Sequence, residues 1–231
     1  MIFPFFNLLQ EFAVPTLALP AIRLALGLVT ELRIDVNHTP DEVESELDAI
    51  RNRMSRSSDR LYGLPEVRTD IPGLVLRHRE ADGEYYVYVV DLRRDRVAGY
   101  TVFNRLIEVG RRADPYLRAP HSKYAAPYQR MGLATAVYRW GLDAGLCIMS
   151  GARQSEGAHR LWLGLARDYE LGYVDLRRKR LSYLGRAVDA AVLGDLHTRM
   201  VLLGRGWTLE RHMQATGMTW SEGACTQQEL G

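Results

Sequence analysis

The stretch "YQRMGLATAVYRW", residues 128–140, decides how the rest of this sequence is interpreted. A polar turn that contains Gly132 runs directly into a segment with apolar residues at helical spacing. Such a turn can hold a phosphate, because consecutive backbone N–H groups and the positive end of a helix meet there. It can equally serve only to begin a helix. The segments before and after the turn are therefore needed to decide between a phosphate-binding turn and a simple helix start.

The composition is that of a soluble globular protein, since 47% of the 231 residues are hydrophobic and 25% are charged. The formal net charge of +2 argues against nucleic-acid binding, which usually needs a strongly positive surface. Cys147 and Cys225 lie far apart and lack metal-ligand spacing. The sequence therefore predicts a reducing compartment, taken as the cytoplasm, with no disulfide and no metal site.

Residues 1–38 form an apolar segment at the start of the chain. Glu11 and Arg23 divide it into uncharged runs of 10 and 11 residues, whereas a membrane-spanning helix needs about 20. The segment also lacks the basic start of a secretion signal. We expect a packed N-terminal arm, and the alternative is docking on a membrane surface or on a partner protein.

A helix and then a series of strands are predicted between the arm and the turn. Thr39 and Glu42 can form a capping box, and apolar residues recur at helical spacing over 43–54. Three β-rich runs and a less regular fourth one then alternate with turns, which indicates an antiparallel meander. These four predicted strands are 74–80, 84–93, 97–103 and one within 116–127.

After the turn, helices and strands alternate. A helix is predicted over residues 132–144, with these side chains on its buried face: Leu133, Val137, Trp140 and Ala144. Residues 146–150 indicate a buried strand, and Ser155 begins another helix that extends to about residue 166. A further strand is predicted at 173–176.

The C-terminal part begins with a basic run at residues 177–180, which lacks the interleaved aromatic residues of a nucleic-acid site and predicts a solvated strand end or turn. A helix is predicted over residues 184–203, from the apolar residues Val188, Val192, Leu196 and Val201. The predicted division of the chain is an apolar arm (1–38), a central domain (39–183) and a C-terminal helical extension with a polar tail (184–231).

Two motifs occur in order along the central domain. The first is "QRMGLA", residues 129–134, preceded by Pro127, and the second is "SEGAHRLW", residues 155–162. They resemble the Q/R-x-x-G-x-G/A signature and the N-x-x-A-x-x-L-Y helix of the GNAT superfamily of acyl-CoA-dependent N-acyltransferases. In this sequence the proline lies one residue closer to the first motif than in the family. The resemblance covers roughly residues 70–180.

The resemblance implies an α/β fold with a mixed, mostly antiparallel twisted sheet that is flanked by helices and splits between its fourth and fifth strands. It implies that acetyl-CoA or another acyl-CoA is the cosubstrate, and that an amine of unknown identity is the acceptor. The pyrophosphate would rest on the turn and the pantetheine along the strand before it. The implied CoA-binding residues are Gln129, Arg130, Met131, Gly132, Leu133, Ala134, Thr135 and Ser155.

The candidate catalytic residues lie in the strand before the turn. His121 is the candidate base, because an imidazole can accept a proton near neutral pH. Ser122 beside it can hydrogen-bond the carbonyl or a bridging water. Glu108 is an alternative base, and His159 is expected to face solvent.

The sequence does not identify one residue that would protonate the departing thiolate. The family often uses the tyrosine that ends its second motif, where this sequence has Trp162, and an indole N–H is a donor but not a useful acid. Tyr124 joins His121 and Ser122 in the candidate catalytic set, and three other tyrosines stay open as alternatives. These are Tyr128, Tyr138 and Tyr169, of which Tyr138 is more typical of a packing residue.

Trp162 and the apolar arm together motivate a second hypothesis. The chain could be a catalytically silent GNAT-like protein with a structural or interaction role, such as a virion-associated component of a bacteriophage. Its location would then be the host cytoplasm or the virion.

Overall fold

The computed structural model describes residues 39–221. The predictions for the arm at 1–38, for Cys225 and for most of the polar tail lie outside this range. Within it, no helix is both long and apolar enough to cross a bilayer. In chain order the helices and strands are α1 (Pro40–Met54), β1 (Glu66–Arg68), β2 (Leu74–Ala81), β3 (Glu84–Asp91), β4 (Arg96–Asn104), β5 (Ala119–Tyr124), α2 (Leu133–Asp143), β6 (Ile148–Met149), α3 (Glu156–Leu165), β7 (Leu171–Arg177), β8 (Arg180–Gly185), α4 (Ala190–Leu193), β9 (Thr198–Leu202), α5 (Leu209–Thr216) and β10 (Thr219–Trp220).

The predicted start of α1 is confirmed. Thr39 Oγ1 accepts a hydrogen bond from the Glu42 backbone N–H (3.3 Å), and the Glu42 carboxylate accepts one from the Thr39 N–H (2.8 Å). This capping box satisfies two N–H groups that have no partner within the helix. Leu47 and Met54 of the predicted apolar stripe are buried.

Strands β1 to β5 form an antiparallel sheet in which each strand pairs with the next one in the chain. The predicted meander is confirmed. Asp82 and Gly83 both adopt positive φ (55° and 77°) between β2 and β3, as a two-residue hairpin requires. The edge strand β1 was not predicted, so the strand predicted as fourth is β5.

The second sheet has the strand order β10-β8-β7-β9-β6, in which only the β8–β10 pair is parallel. In the described part of the chain it meets the first sheet at a single parallel bridge. There the Arg118 N–H donates to the Cys147 carbonyl (3.0 Å) and the Met149 N–H donates to the Arg118 carbonyl (2.9 Å). Within residues 39–221, β5 and β6 make no further ladder pair. The predicted split between these two strands is therefore confirmed, as is the mixed α/β fold.

Helices cover both faces of the first sheet. Tyr100 of β4 contacts α1 through a 2.7 Å hydrogen bond from its hydroxyl to Glu46. Phe103 of β4 contacts α2, where a Cβ built on Gly141 would lie 2.8 Å from the Phe103 Cζ. Tyr100 and Phe103 are an odd number of residues apart on one strand, so their side chains lie on opposite faces. Helix α2, which follows the turn, thus packs directly against the first sheet.

The buried face of α2 differs in part from the prediction. Leu133 and Val137 are buried as predicted, but Ala144 is exposed. Tyr138 is buried instead, because its ring contacts Trp162 of α3 with a centroid distance of 6.5 Å. Helix α2 therefore packs against α3 as well as against the sheet.

The prediction of a helix over residues 184–203 is wrong. This segment contains the end of β8, the four-residue helix α4 and the strand β9. Leu196, predicted as a core residue, is 48% exposed. Strand β9 lies between β6 and β7 and is buried along its whole length, so its residues show no alternation that would distinguish a strand from a helix. The C-terminal helical extension is corrected accordingly, since these residues complete the second sheet.

Candidate functional site

A short 3-10 turn at Ala126–Tyr128 follows β5, and residues 129–132 then lead into α2, so the last three residues of the 129–135 segment form the first turn of that helix. Arg130 and Gly132 both adopt left-handed backbone conformations, with φ of 61° and 77°. Gly132 is the N-cap residue of α2, and within residues 39–221 no side-chain hydrogen bond caps this helix. The first N–H groups of an α-helix have no acceptor within the helix. The turn therefore presents backbone donors at the positive end of α2.

The exposure of the turn residues is uneven. Gln129, Arg130, Met131 and Gly132 are exposed, and a Cβ on Gly132 would meet no atom within 4 Å. Ala134 and Thr135 are half-buried, whereas the Leu133 side chain packs in the core. Of the residues that the resemblance implies for CoA binding, Leu133 can contribute only through its backbone.

A buried carboxylate fixes the entrance to the turn. Asp91, at the end of β3, is 4% exposed and accepts a 2.8 Å hydrogen bond from the Tyr128 hydroxyl. It also accepts from the backbone N–H groups of Arg93 (2.9 Å) and Arg94 (3.1 Å) and from the Arg94 guanidinium. Burial alone would raise the pKa of Asp91, but these donors lower it below its usual value. Asp91 is thus an ionised anchor, which the sequence did not reveal.

The second motif lies at the start of α3. Ser155 Oγ accepts the Ala158 N–H (3.2 Å), so the predicted helix cap is confirmed. The preceding side chain, Gln154, has a buried Oε1 without a hydrogen-bond partner among residues 39–221, while its Nε2 lies 3.4 Å from the Met200 sulfur. Gln154 therefore offers a buried carbonyl acceptor directly before α3.

The predicted catalytic residues on β5 are divided between two faces of the sheet. Ser122 Oγ lies 2.8 Å from Thr101 Oγ1, and the Tyr124 hydroxyl lies 3.1 Å from the same Thr101 atom. His121 is exposed and belongs to the opposite face, since side chains alternate along a strand. The structure thus brings Ser122 and Tyr124 together and separates His121 from them.

Tyr138 adds a fourth hydroxyl to this group, and we call Thr101, Ser122, Tyr124 and Tyr138 the hydroxyl cluster. Burial raises the pKa of Tyr124 and of Tyr138, and contacts with Thr101 or Ser122 lower these values only in part. Both phenols are consequently neutral hydrogen-bond donors at physiological pH. Thr101 could not be predicted from the sequence, because the position of Thr101 beside Ser122 depends on the β4–β5 register.

The other tyrosines and the alternative base are engaged elsewhere. Tyr128 donates to Asp91, and Tyr169 donates to Asp143 (2.8 Å). Glu108 accepts a 3.4 Å hydrogen bond from the buried Arg199. Trp162 is 3% exposed and packs edge-on against Tyr138. His159 is half-buried rather than fully solvated as predicted.

A second polar group lies on the α1 face of the first sheet. The Glu46 carboxylate accepts hydrogen bonds from the Tyr100 hydroxyl (2.7 Å) and from the Lys123 ammonium (2.8 Å). Lys123 and His121 share this face of β5. No spacing in the sequence connects Glu46 to β5, because the contact is made by tertiary packing across 77 positions.

Two features that the sequence singled out have structural roles. The basic run forms the β7–β8 turn, with Arg178 and Lys179 at positive φ, and Arg177 pairs with Asp175 and Asp195. Cys147 is buried, and burial raises the pKa of its thiol to about 12, so it is inert.

Within residues 39–221, no group of three His, Cys, Asp or Glu residues could hold a metal ion.

No protein-family model matches the chain, and no curated protein matches its sequence. Among solved structures, a spermidine N-acetyltransferase variant from Vibrio cholerae is 17% identical, with 54% of this chain and 66% of that chain covered at a TM-score of 0.32. A GNAT superfamily phosphinothricin acetyltransferase from Sinorhizobium meliloti, in complex with AcCoA, is 18% identical, with coverage of 62% and 68% and a TM-score of 0.34. A cAMP-binding acyltransferase from Mycobacterium smegmatis is 11% identical, with coverage of 78% and 59% and a TM-score of 0.39.

Proposed function

We propose that this protein is an acyl-CoA-dependent N-acyltransferase of the GNAT type, which transfers an acyl group, in the simplest case acetyl, from CoA to an amine. The observation that carries the proposal is the N-terminus of α2. It has no side-chain cap from any described residue, begins with left-handed Gly132, and follows the strand that diverges from β6. Backbone N–H groups in this arrangement suit a pyrophosphate.

In this proposal the backbone of residues 132–135 binds the pyrophosphate, and exposed Gln129, Arg130 and Met131 contact the ligand around it. The guanidinium of Arg130 adds a charge-assisted contact. The pantetheine lies between β5 and the start of α3. There, Gln154 Oε1 is a buried acceptor that can take a hydrogen bond from an amide N–H.

The reaction we propose is direct attack by the amine nitrogen on the thioester carbonyl carbon. The carbon–sulfur bond breaks, the thiolate leaves, and a base takes the proton that the nitrogen loses. His121 is the proposed base, on the α1 face, with the acceptor entering from that side. Tyr124 and Ser122 are proposed to hydrogen-bond the sulfur or the carbonyl oxygen. Because the pKa of Tyr124 is raised, its hydroxyl keeps its proton and stabilises the departing thiolate as a hydrogen-bond donor. Solvent then protonates the thiolate.

The proposal places the reaction in the cytoplasm, and it assigns the reaction to the part of the chain that contains both sheets, since β9 and β10 of the C-terminal segment belong to the second sheet. The arm at 1–38 is proposed to pack or to dock on a membrane surface or a protein. Acceptors could be small amines or protein amines, and nucleic acid is not among the proposed partners.

Binding is tested by the melting temperature of the protein with and without acetyl-CoA. The proposal predicts a rise for the wild type and none for Gly132→Glu, whose carboxylate would occupy the phosphate position. Gly206→Glu is the matched control, because Gly206 also has positive φ and no atom within 4 Å of a built Cβ. Equal responses of the two variants would contradict the proposal, as would a wild type that does not respond at millimolar acetyl-CoA.

A second candidate function is a silent GNAT-like structural or interaction protein, including a phage virion component. Burial of Trp162 against Tyr138 favours it, because this residue occupies the position of the family's acid. Mass spectrometry for acyl transfer from labelled acetyl-CoA to lysate amines separates the two. Binding without transfer to any component favours the silent protein.

A further inference from the structure

An open cleft of about 560 Å³ is lined by the segment that follows β4, by the β2–β3 hairpin and by the β7–β8 turn. Ile107, Arg111 and Lys179 are among its lining residues. A Cβ built on Gly110 would lie 3.1 Å from the Lys179 carbonyl oxygen, so the segment after β4 contacts the turn. Ile107 is 90% exposed, whereas its neighbour Leu106 is buried. The cleft thus combines an exposed apolar side chain with two cations.

The β7–β8 turn extends the positive charge of the cleft. Arg178, Lys179 and Arg180 are exposed, as is Arg111, and none of these four cations forms an ion pair within residues 39–221. Arg177 differs, because it pairs with two aspartates. The turn and Arg111 therefore present four positive charges to solvent.

The carboxylates that line the cleft do not cancel this charge. Asp114 pairs with Arg105, which also lines the cleft. Glu84 accepts hydrogen bonds from the Tyr86 hydroxyl (2.9 Å) and from the Arg105 backbone N–H (3.3 Å). Asp82 is the third carboxylate among the described lining residues. Because Arg178 and Arg180 of the turn add to the three cations of the lining, the cleft with its turn is positive overall.

The turn holds its basic side chains in a backbone conformation that disfavours them. Arg178 and Lys179 have φ of 50° and 64°, and a two-residue hairpin with both central residues at positive φ favours Asn, Asp and Gly. The β2–β3 hairpin of the same chain follows this rule with Asp82 and Gly83. Nowhere else in residues 39–221 do two successive non-glycine residues both have positive φ. A backbone outlier of this kind indicates a functional constraint on the two side chains.

We propose that the cleft and the β7–β8 turn form a docking site for an acidic segment of a partner protein, in which an apolar residue lies beside the carboxylates. The carboxylates pair with Arg111, Lys179 and the neighbouring cations of the turn, and the apolar residue covers Ile107. A nucleic acid fits this surface poorly, because no aromatic side chain for base stacking is among the described residues that line the cleft. A flat anionic membrane also fits poorly, because the surface is concave and includes Asp82. The site shares no residue with the proposed CoA site and does not rest on the acyltransferase function.

The test is fluorescence anisotropy of a short fluorescein-labelled peptide of glutamates with one central leucine, titrated with the full chain. Two further probes are a labelled thymidine oligonucleotide of the same net charge and vesicles of phosphatidylcholine with one third phosphatidylserine, the latter measured by cosedimentation. The expected result is saturable micromolar binding of the peptide, which weakens as salt is added. No saturable binding of the peptide, or tighter binding of the oligonucleotide or the vesicles, would overturn the proposal.

Arg178→Asn combined with Lys179→Gly removes two charges and gives the turn the residues that its backbone favours. This double variant is expected to have a higher melting temperature and to bind the peptide about three- to thirtyfold more weakly, since each exposed ion pair contributes modestly. Arg60→Gln combined with Arg167→Gln is the matched control, because both arginines are exposed and their loss changes the net charge by the same amount. Equal loss of binding in the two double variants would show that net charge alone attracts the peptide, which contradicts a docking site.

Ile107→Ser tests the apolar contact. Because Ile107 is 90% exposed, the variant should fold as the wild type does. Replacement of the peptide's leucine by serine should weaken binding to the wild type about threefold or more and should have little effect on binding to Ile107→Ser. A leucine-to-serine effect of the same size in both proteins would mean that Ile107 is not the contact, and the proposal would then be wrong.

Discussion

The hydroxyl of Tyr128 donates a 2.8 Å hydrogen bond to the buried carboxylate of Asp91, and this contact ties the 129–135 turn to the end of β3. The two residues are 37 positions apart in the sequence. The geometry of the proposed phosphate site therefore depends on a pair of side chains outside the glycine motif.

We expect Tyr128→Phe to lower the free energy of unfolding by about 1.5–3 kcal/mol, because a buried charged acceptor loses one of its donors. Urea denaturation measures this change, and a CoA titration should show weaker binding. Tyr169→Phe is the control, since it removes an equally long Tyr–Asp hydrogen bond, to Asp143, without touching the turn. A Tyr128→Phe protein with unchanged CoA affinity would show that the anchor does not position the turn.

Removal of the Tyr124 hydroxyl is expected to lower kcat about ten- to a hundredfold with little change in CoA affinity. The reason is the loss of one hydrogen bond to a charge that develops in the transition state, a contribution of about 1.5–3 kcal/mol. Single-turnover transfer with Tyr124→Phe measures the effect. Tyr86→Phe is the control, because its hydroxyl bonds Glu84 elsewhere on the first sheet. Equal losses in both variants would remove Tyr124 from the mechanism.

His121→Gln is expected to lower kcat by about 10²–10⁴, the usual contribution of a general base. The loss should shrink as pH rises, because the amine acceptor then needs less help to become neutral. Steady-state rates across a pH series measure both effects. A rate within twofold of the wild type at neutral pH would assign the base elsewhere.

Gly99 is expected to tolerate no side chain. A Cβ there would lie 2.2 Å from Tyr124 Cδ1 and 2.4 Å from the Lys123 carbonyl oxygen, which is backbone and cannot move aside. Gly99→Ala should therefore cost at least about 1–3 kcal/mol in thermal or urea unfolding. Gly164→Ala is the contrasting variant, because its site in α3 is open, and it should stabilise by about 0.5–1 kcal/mol.

Stability is expected to fall in mildly acidic solution because of His212. This side chain is fully buried, and neither ring nitrogen has a partner in hydrogen-bonding geometry within residues 39–221. Burial lowers its pKa from 6.5 to about 4, and the nearby Tyr116 backbone offsets only part of this. Between these values the unfolded chain binds a proton that the folded chain does not, so stability is retained above pH 6.5 and lost as pH falls toward 4.

The slope of this loss should be about 1.4 kcal/mol per pH unit. Urea denaturation of the wild type and of His212→Leu across this range gives the difference, in which the carboxylates common to both proteins cancel. A difference that does not change with pH would contradict the assignment.

The sequence predicted those parts of the fold that depend on local patterns. The capping box of Thr39 and Glu42, the three central strands and the cap of α3 at Ser155 are each set by a few neighbouring residues. The prediction of a helix at β9 is wrong, because a strand buried on both faces has no alternating pattern.

The site was predictable only as far as the backbone of the turn. The anchor at Asp91, the place of Thr101 beside Ser122, and the contact of Glu46 with Lys123 all depend on strand register or on helix packing. The separation of His121 from Tyr124 follows from strand alternation once the boundaries of β5 are known.

The most direct test of the central claim is a backbone ¹⁵N NMR titration of the full chain with CoA. The account predicts saturable shifts of the amide signals of Gly132, Leu133, Ala134 and Thr135, with the first-turn signals of α5 unchanged. Saturable CoA binding that leaves those four amides unperturbed would contradict it.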